Sequence, residues 1–532
     1  MTGGAVRLRI DDKQLDALFA QLNQCNVPGI AVGVGVKGRA VYRKGFGLAT
    51  MELPVVLSPS MRMRIFSITK HFTCLLYLLL CEDGKADIDD CIGQYLATIH
   101  PVTRKATVRQ LMTHTSGLRD ALGIRWLFSG YEQNVSSAEV LKLYEDIDDI
   151  NFPAGARRAY NNGGYMMLSA AIERIADCPL KDALQHRIFE PVGMYDTLLR
   201  LVDTDFVSNS AIMHMTKENG EYVKSYLGGE LTGEGGIVST VDDMLRWLAH
   251  MDAPMVGTSK TWELMKTPQR LANGTSTGYG LGLSLARYRG IEAVWHAGGG
   301  LGGNSQFIKV PAVGLDVVIL ANRQDVSSME LGEKVLDACL VGLDPIDEGV
   351  REEIATGTFK ARISGRVLKL FKKDNAQFIQ WNGEESRARP GENGGLRPVG
   401  GLISPNNMSF FVQGDWSQPD AVLFRSFGED EELIPVGTAS PTEPQAIAGV
   451  YRSESTGTDV IIEPGGHDML MKTRGRFGTS VYPLECLGER VWRASKNAGV
   501  MVLSFDDAAS AFRVTGDTNW GLTFSRVGGS GL

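Results

Sequence analysis

The longest apolar run in the chain, residues 72–80, follows directly on the polar tetrapeptide Ser67-Ile68-Thr69-Lys70. It is far shorter than the roughly 20 residues needed to span a bilayer, so it reads as a helix buried on all sides. Before it, residues 30–36 and 40–42 have the apolar, β-branched character of two strands joined by a turn at Lys37-Gly38. Helical periodicity carries most of 68–270, including a helix opened by Met166, Met167, Leu168, Ala171 and Ile172. Strand-like segments return at 279–322, and a helical stretch at 329–341 follows. Early and late strands around a helical middle predict an α+β domain, an antiparallel sheet drawn from both ends and flanked by helices.

After a linker at 342–347 the pattern changes to short alternating segments at 359–371, 377–381, 408–412 and 422–427. They are parted by turns such as Ser404-Pro405-Asn406-Asn407. A second linker, 437–444, is rich in Pro, Thr and Ser. Beyond it lie segments at 449–451, 460–462, 469–473, 491–494, 500–505 and 522–526. The expectation is three domains: residues 1–342, then two small antiparallel β-barrels at 348–437 and 445–532.

The length of 532 residues fits about two to four domains, and 43% apolar residues supply their cores. A net charge of −8 argues against nucleic acid as a partner. Residues 1–14 are polar, without the apolar core of a signal peptide. Seven cysteines without regular spacing suggest free thiols in a reducing compartment, hence a cytoplasmic protein with no membrane association. Cys74 and Cys81 read as core packing on the apolar helix. Neither H-E-x-x-H nor paired C-x-x-C occurs, so no metal and no cofactor is expected.

Three short motifs carry chemistry. Ser67 and Lys70 stand three apart at a helix start, on one face. A serine hydroxyl becomes a useful nucleophile when a base takes its proton, and a lysine of depressed pKa can be that base. Tyr160-Asn161-Asn162 sits between a Pro/Gly loop and a helix. Tyr160 is placed to pass a proton to a leaving group if cationic neighbours lower its pKa, and Asn162 to offer its amide to substrate or to Lys70. His296-Ala297-Gly298 ends a strand-like run and is followed by Gly299, Gly300, Gly302 and Gly303. Gly298 would let a substrate backbone lie close, and the Gly299 N–H would pair with that of Ser67 as an oxyanion donor. His296 would assist proton transfer near neutral pH or orient Tyr160.

Two competing motifs fail on context. Gly274-Thr275-Ser276-Thr277-Gly278 matches a nucleophile elbow, yet an extended, glycine-punctuated run follows where a helix is needed. Gly33-x-Gly35-x-x-Gly38 matches a dinucleotide fingerprint, yet it runs through a hairpin.

In order and separation, the three motifs resemble those of the β-lactamase-related, penicillin-recognising serine hydrolases: S-x-x-K, then Y-x-N, then H-x-G. The flanks at 109–118, 235–244 and 279–283 resemble that family too, and the likeness covers about residues 15–340. It implies a penicillin-binding-protein-like catalytic domain. The added pair of β-barrels resembles the D-aminopeptidase branch. That likeness implies Ser67 as nucleophile, Lys70 as base, Tyr160 and His296 as proton-relay partners, and Asn162 as a substrate-binding amide. It also implies a small peptide, amide or ester as substrate and a possible homodimer.

In that branch a third-domain loop brings an acidic residue to the substrate's free amine. The matching hairpin here, 493–499, is shorter and lacks a carboxylate, which leaves Asp120 or Glu234 as substitutes. Ala297 lacks the hydroxyl that would hold a substrate carboxylate, and His296 replaces the lysine of that motif. Both favour an aminopeptidase, amidase or esterase over a carboxypeptidase. Alternatives on the same residues are an esterase or β-lactamase-like hydrolase, or a catalytically silent penicillin-binding sensor.

Overall fold

The strand-like segments from the two ends of the first domain meet in one sheet. In this computed structural model, which describes residues 6–217, 219–345, 354–391, 394–398, 408–427, 429–439, 443–466, 468–496 and 499–528, Ile30–Val36 (β1) and Arg39–Phe46 (β2) form a hairpin. Ser284–Tyr288 (β3), Ile291–Gly300 (β4), Gly303–Val310 (β5) and Leu315–Ala321 (β6) form a meander. The order across the sheet is β3-β4-β5-β6-β1-β2, all antiparallel. Val317 opposite Val34 marks the seam between late and early strands.

The hairpin turns at Lys37 (φ 49°) and Gly38 (φ 75°). Two successive positive φ values match the twist of the flanking strands. The G-x-G-x-x-G run is therefore sheet, and its glycines serve packing: a Cβ on Gly33 would lie 2.4 Å from Val241 Cγ1.

Six helices build the rest of the domain: Asp12–Phe19 (α1), Thr69–Glu82 (α2), Ala121–Ser129 (α3), Asn162–Ala176 (α4), Val241–His250 (α5) and Ser328–Cys339 (α6). On one face, Leu15 and Phe19 of α1 and Val335 and Leu336 of α6 share a core with Val32, Val34, Val317 and Ile319. On the other, α5 packs on β1 and β6, and α2 lies in the middle with every residue from Thr69 to Leu80 buried. At about 1.5–3 kcal/mol per buried Leu or Phe side chain, this helix is a main source of the domain's stability. Buried in full, it holds the residue at its first turn in a fixed place.

Beyond the α+β domain come two closed eight-stranded barrels. The first runs from Gly357–Ala361 to Glu429–Pro435 and closes where Phe359 faces Pro435. The second runs from Gly449–Ser453 to Leu522–Arg526 and closes where Tyr451 faces Arg526. The segment expected at 359–371 is two strands, Gly357–Ala361 and Val367–Lys373, with a turn that uses Gly365 at φ 74°. The expected turn at Ser404–Asn407 lies outside the described residues, as do Ile346–Glu353 and Ser440–Thr442 at the two linkers.

The second barrel docks on α3, where Thr473 Oγ1 donates to Phe128 O (2.8 Å) and Tyr482 OH to Leu127 O (2.5 Å). Its core is continuous with that of the catalytic domain. The two barrels also touch: Thr515 Oγ1 donates to Ser364 O (3.1 Å) and Asn382 Nδ2 to Asp517 (2.8 Å). Cys74 is buried on α2 as a thiol, without a disulfide. Among the described residues no helix is long and apolar enough to cross a membrane.

Candidate active site

Ser67 stands at a strained corner. Phe66, just before it, takes φ 49°, a left-handed value uncommon for a bulky residue. A short 3₁₀ turn, Phe66–Ile68, then runs into α2. The corner is pinned from both sides: Ser305 Oγ donates to Ile65 O (2.8 Å), and the Ile237 N–H donates to Thr69 Oγ1 (3.2 Å). Ser67 is half-buried, with its hydroxyl toward the next turn of the helix.

Lys70, fully buried there, donates to Ser67 Oγ (3.2 Å), Asn162 Oδ1 (2.8 Å) and Glu234 O (2.6 Å). Burial disfavours the ammonium and lowers the Lys70 pKa to about 7, against the opposing pull of the Glu234 and Asp120 carboxylates. Near neutrality a large share of the amine is therefore free base within reach of the serine proton.

Tyr160 is hydrogen-bonded to Ser67, and Lys70 Nζ lies 4.7 Å from its ring centroid. The His114 ring packs on it, tilted, at 4.3 Å, and His114 Nδ1 accepts from the Asn161 N–H (3.1 Å), which fixes the loop. The expectation that cationic neighbours lower this tyrosine needs correction. Burial outweighs the hydrogen bond from Ser67 and the charge of Arg158, and the phenol is held above its ordinary pKa. It stays a neutral donor. Asn162 opens α4, whose start is held by Asp120 Oδ1 accepting from the Gly163 N–H (2.8 Å) and by Asn161 Oδ1 accepting from the Gly164 N–H (2.8 Å).

His296 is placed differently from the expectation. Its Nδ1 lies 2.6 Å from Ala297 O, which can only accept, so Nδ1 carries the proton and Nε2 accepts from Tyr279 OH (2.9 Å). Its bond is thus to Tyr279 and not to Tyr160. Burial and the nearby Lys70 lower its pKa to about 3, so it is neutral at any working pH and cannot titrate near 7. Gly298 also has another partner than a substrate backbone. A Cβ there would lie 2.4 Å from Ile65 O and 2.9 Å from Phe66 Cβ, so its lack of a side chain lets β4 close on the Ser67 corner. Gly299, next along, is exposed with nothing within 4 Å of a virtual Cβ.

Asp120 is buried, with Oδ1 accepting from the Gly163 N–H, and it lines the cavity on the Asn162 side. The buried Glu234 carboxylate accepts from its neighbour Thr232, through N–H (2.7 Å) and Oγ1 (2.6 Å). The hairpin at 493–499 sets Gly499 at the cleft, with Asn497 and Ala498 outside the described residues. The next loop, 516–521, brings the exposed Asp517 to the same cavity. That loop is clamped to the catalytic domain by Asn519 Oδ1 accepting from the Asp120 N–H (2.9 Å) and Asn151 Nδ2 donating to Thr518 O (2.9 Å).

Two adjoining cavities open beside the catalytic residues. One, of about 280 Å³, is lined by Asn162, Trp126, Leu127, Tyr131, Glu384 and Asp517. The other, of about 330 Å³, is lined by Tyr160, Arg157, Arg158, Arg366, Phe427, Trp520, the same two acids and two more, Glu429 and Glu431. The surrounding protein and the Asp517 charge raise the Glu384 pKa to about 7. Sequence reasoning missed Arg158, Tyr279, Glu384 and Asp517 as site residues. Arg158, two positions before Tyr160, is the one a local signal pointed to; the two acids reach the cleft only through the docking of the barrels.

With a neutral ester substrate, kcat/KM is expected to rise with pH through a single step near pH 7 and then level off. The step reports Lys70 losing its proton; neither His296 nor Tyr160 titrates in that range, and the same step in Glu384→Gln separates Lys70 from the Glu384 carboxyl, which is also held near 7. A pH–rate profile over roughly pH 5–9 checks this, and a falling limb in that span would contradict the assignment.

The family model described as Beta-lactamase matches residues 15–339. A D-aminopeptidase of Brucella canis is 24% identical over 473 residues, 87% of each chain. One of Brucella anthropi is 26% identical over 477 residues, 87% of this chain and 86% of that one. Among solved structures, the octameric penicillin-binding protein homologue from Pyrococcus abyssi aligns over 97% of this chain and 100% of its own, at TM-score 0.57 and 18% identity. The D-amino acid amidase from Ochrobactrum anthropi SV3 aligns over 62% of this chain and 97% of its own, at TM-score 0.54 and 23% identity. At these identities the structural likenesses show the fold alone.

Proposed function

We propose that this chain, which belongs to the Beta-lactamase family and is a serine hydrolase, releases N-terminal D-residues from short peptides and amides through an acyl-enzyme on Ser67. Neutral Lys70 takes the Ser67 proton as the hydroxyl attacks the carbonyl. The Ser67 and Gly299 N–H groups receive the oxyanion. The proton then passes through Tyr160 to the leaving nitrogen, the C–N bond breaks, and water attacks the ester with Lys70 again as base. His296 positions Tyr279 beneath this group and takes no proton itself.

The observation that carries the reading is the acidic, aromatic-walled cavity on the Asn162 side, where Glu384 and Asp517 meet Trp126 and Tyr131. A desolvated ammonium needs a partner charge, and two carboxylates supply it beside apolar walls for a side chain. The names of the relatives that match over 87% of the chain support the D configuration.

The test is turnover of D-alanine p-nitroanilide against its L isomer, its N-acetyl form and p-nitrophenyl butyrate. The D-amide with a free amine is expected to lead the L-amide in kcat/KM by about 100-fold, a few kcal/mol of differential binding. Equal rates for the isomers would remove the stereochemical part. Turnover of the ester alone would make the protein an esterase.

A further inference from the structure

Arg158 is the group in the cleft that the reaction above leaves unused. It is 7% exposed, yet it belongs to the wall of the cavity that adjoins Tyr160. Its guanidinium lies 4.4 Å from the Tyr279 ring centroid and 3.9 Å from that of Phe427. Its Nε has no hydrogen-bond partner, and among the described residues no carboxylate forms an ion pair with it. Its neighbours differ. Arg157 lies 3.9 Å from Glu429, and Arg366 lies 3.2 Å from Glu431. A buried charge without a counterion is costly, so such a group is held for a ligand that brings one.

We propose that Arg158 anchors a carboxylate on the leaving-group side of the cleft, so that the preferred substrates are short peptides with a free C-terminal carboxylate rather than simple amides. The inference rests on the acyl-transfer reading above. In that reading Tyr160 hands its proton to the leaving nitrogen, so the leaving group occupies the cavity whose wall is residues 157–160. A guanidinium packed against two aromatic rings is fixed in orientation and meets a carboxylate through its planar fork of N–H donors. The donor that Ala297 does not provide thus comes from another element. With Glu384 and Asp517 in the same cleft, the site complements a zwitterion, the form of a short unblocked peptide at neutral pH.

The experiment compares D-Ala-Gly with D-Ala-glycinamide in the wild type, Arg158→Gln and Arg158→Lys, scoring the ratio of kcat/KM for acid over amide. A charge-assisted bond of this kind predicts a wild-type ratio of about 10 or more, expressed mainly in KM. The ratio falls to about 1 in Arg158→Gln and to an intermediate value in Arg158→Lys. An effect of Arg158 on Tyr160 alone would lower both rates together and leave the ratio unchanged, which overturns the proposal. So does a wild-type ratio near 1, a result that needs no variant to fold. Acylation of Ser67 by p-nitrophenyl butyrate separates the two failures. If Ser67 is acylated but no carboxylate preference is found, only the Arg158 anchor falls. If Ser67 is never acylated, both readings fall.

Discussion

Lys70→Met is expected to lower kcat/KM by about 10⁴-fold, the upper end for loss of a general base. The amine is asked to act twice, once for acylation and once for the attack of water, and no other base has the contacts to replace it. His296 is tied to Tyr279 and Ala297. Glu234 spends its carboxylate on Thr232. Methionine nearly matches lysine in length and shape, so the change removes the base without opening a cavity. It orphans two buried acceptors, Asn162 Oδ1 and Glu234 O, at about 1–3 kcal/mol each. Removal of a desolvated amine and burial of an apolar chain return part of this. The net loss of about 1–3 kcal/mol leaves a folded protein whose defect is chemical. Activity within tenfold of wild type, in a variant whose melting curve shows it folded, would remove Lys70 from the mechanism.

What the sequence made legible follows from how local each signal is. The buried helix showed itself because residues 72–80 are apolar all round, and Ser67 and Lys70 share one turn of it. The hairpin at Lys37-Gly38 was readable from Gly38, which adopts positive φ without strain, between two apolar runs. The strand Glu384–Pro390 was not, because it reads EESRARP and only Ala388 is fully buried; its pairing comes from the backbone and not from alternation. Glu429–Pro435 was hidden because one of its two buried alternate positions is the charged Glu431. The state of His296 depends on Tyr279, 17 positions away, and on complete burial, which a lone histidine does not disclose. The role of Gly298 depends on Ile65 and Phe66, more than 200 positions earlier. The acids of the cleft were the least legible. Glu384 and Asp517 lie on different barrels and come together only because loop 516–521 is clamped to the 119–120 segment and Asn382 bonds Asp517.

Ser67→Ala is expected to abolish turnover, by about 10⁵-fold or more, and to abolish covalent labelling by any activated acyl compound. The two variants separate the roles of the pair. In Lys70→Met the hydroxyl remains at its corner, so a strongly activated ester still acylates it, slowly. In Ser67→Ala no oxygen is left to form the ester, and no substrate restores the reaction. Because the two side chains act as one unit, the double variant should be no slower than Ser67→Ala alone. The fold should hardly notice the loss. Ser67 is half-buried, alanine accepts the same backbone, and the Phe66 corner is held by Ser305 on Ile65 and by Thr69 on Ile237 rather than by the serine hydroxyl. Lys70 keeps two of its three acceptors. The melting temperature is therefore expected to stay within about 3 °C of wild type, an effect under about 1 kcal/mol for a chain of this size. A probe that still labels Ser67→Ala at the wild-type rate, located by peptide mapping to another residue, would place the nucleophile elsewhere and undo the site.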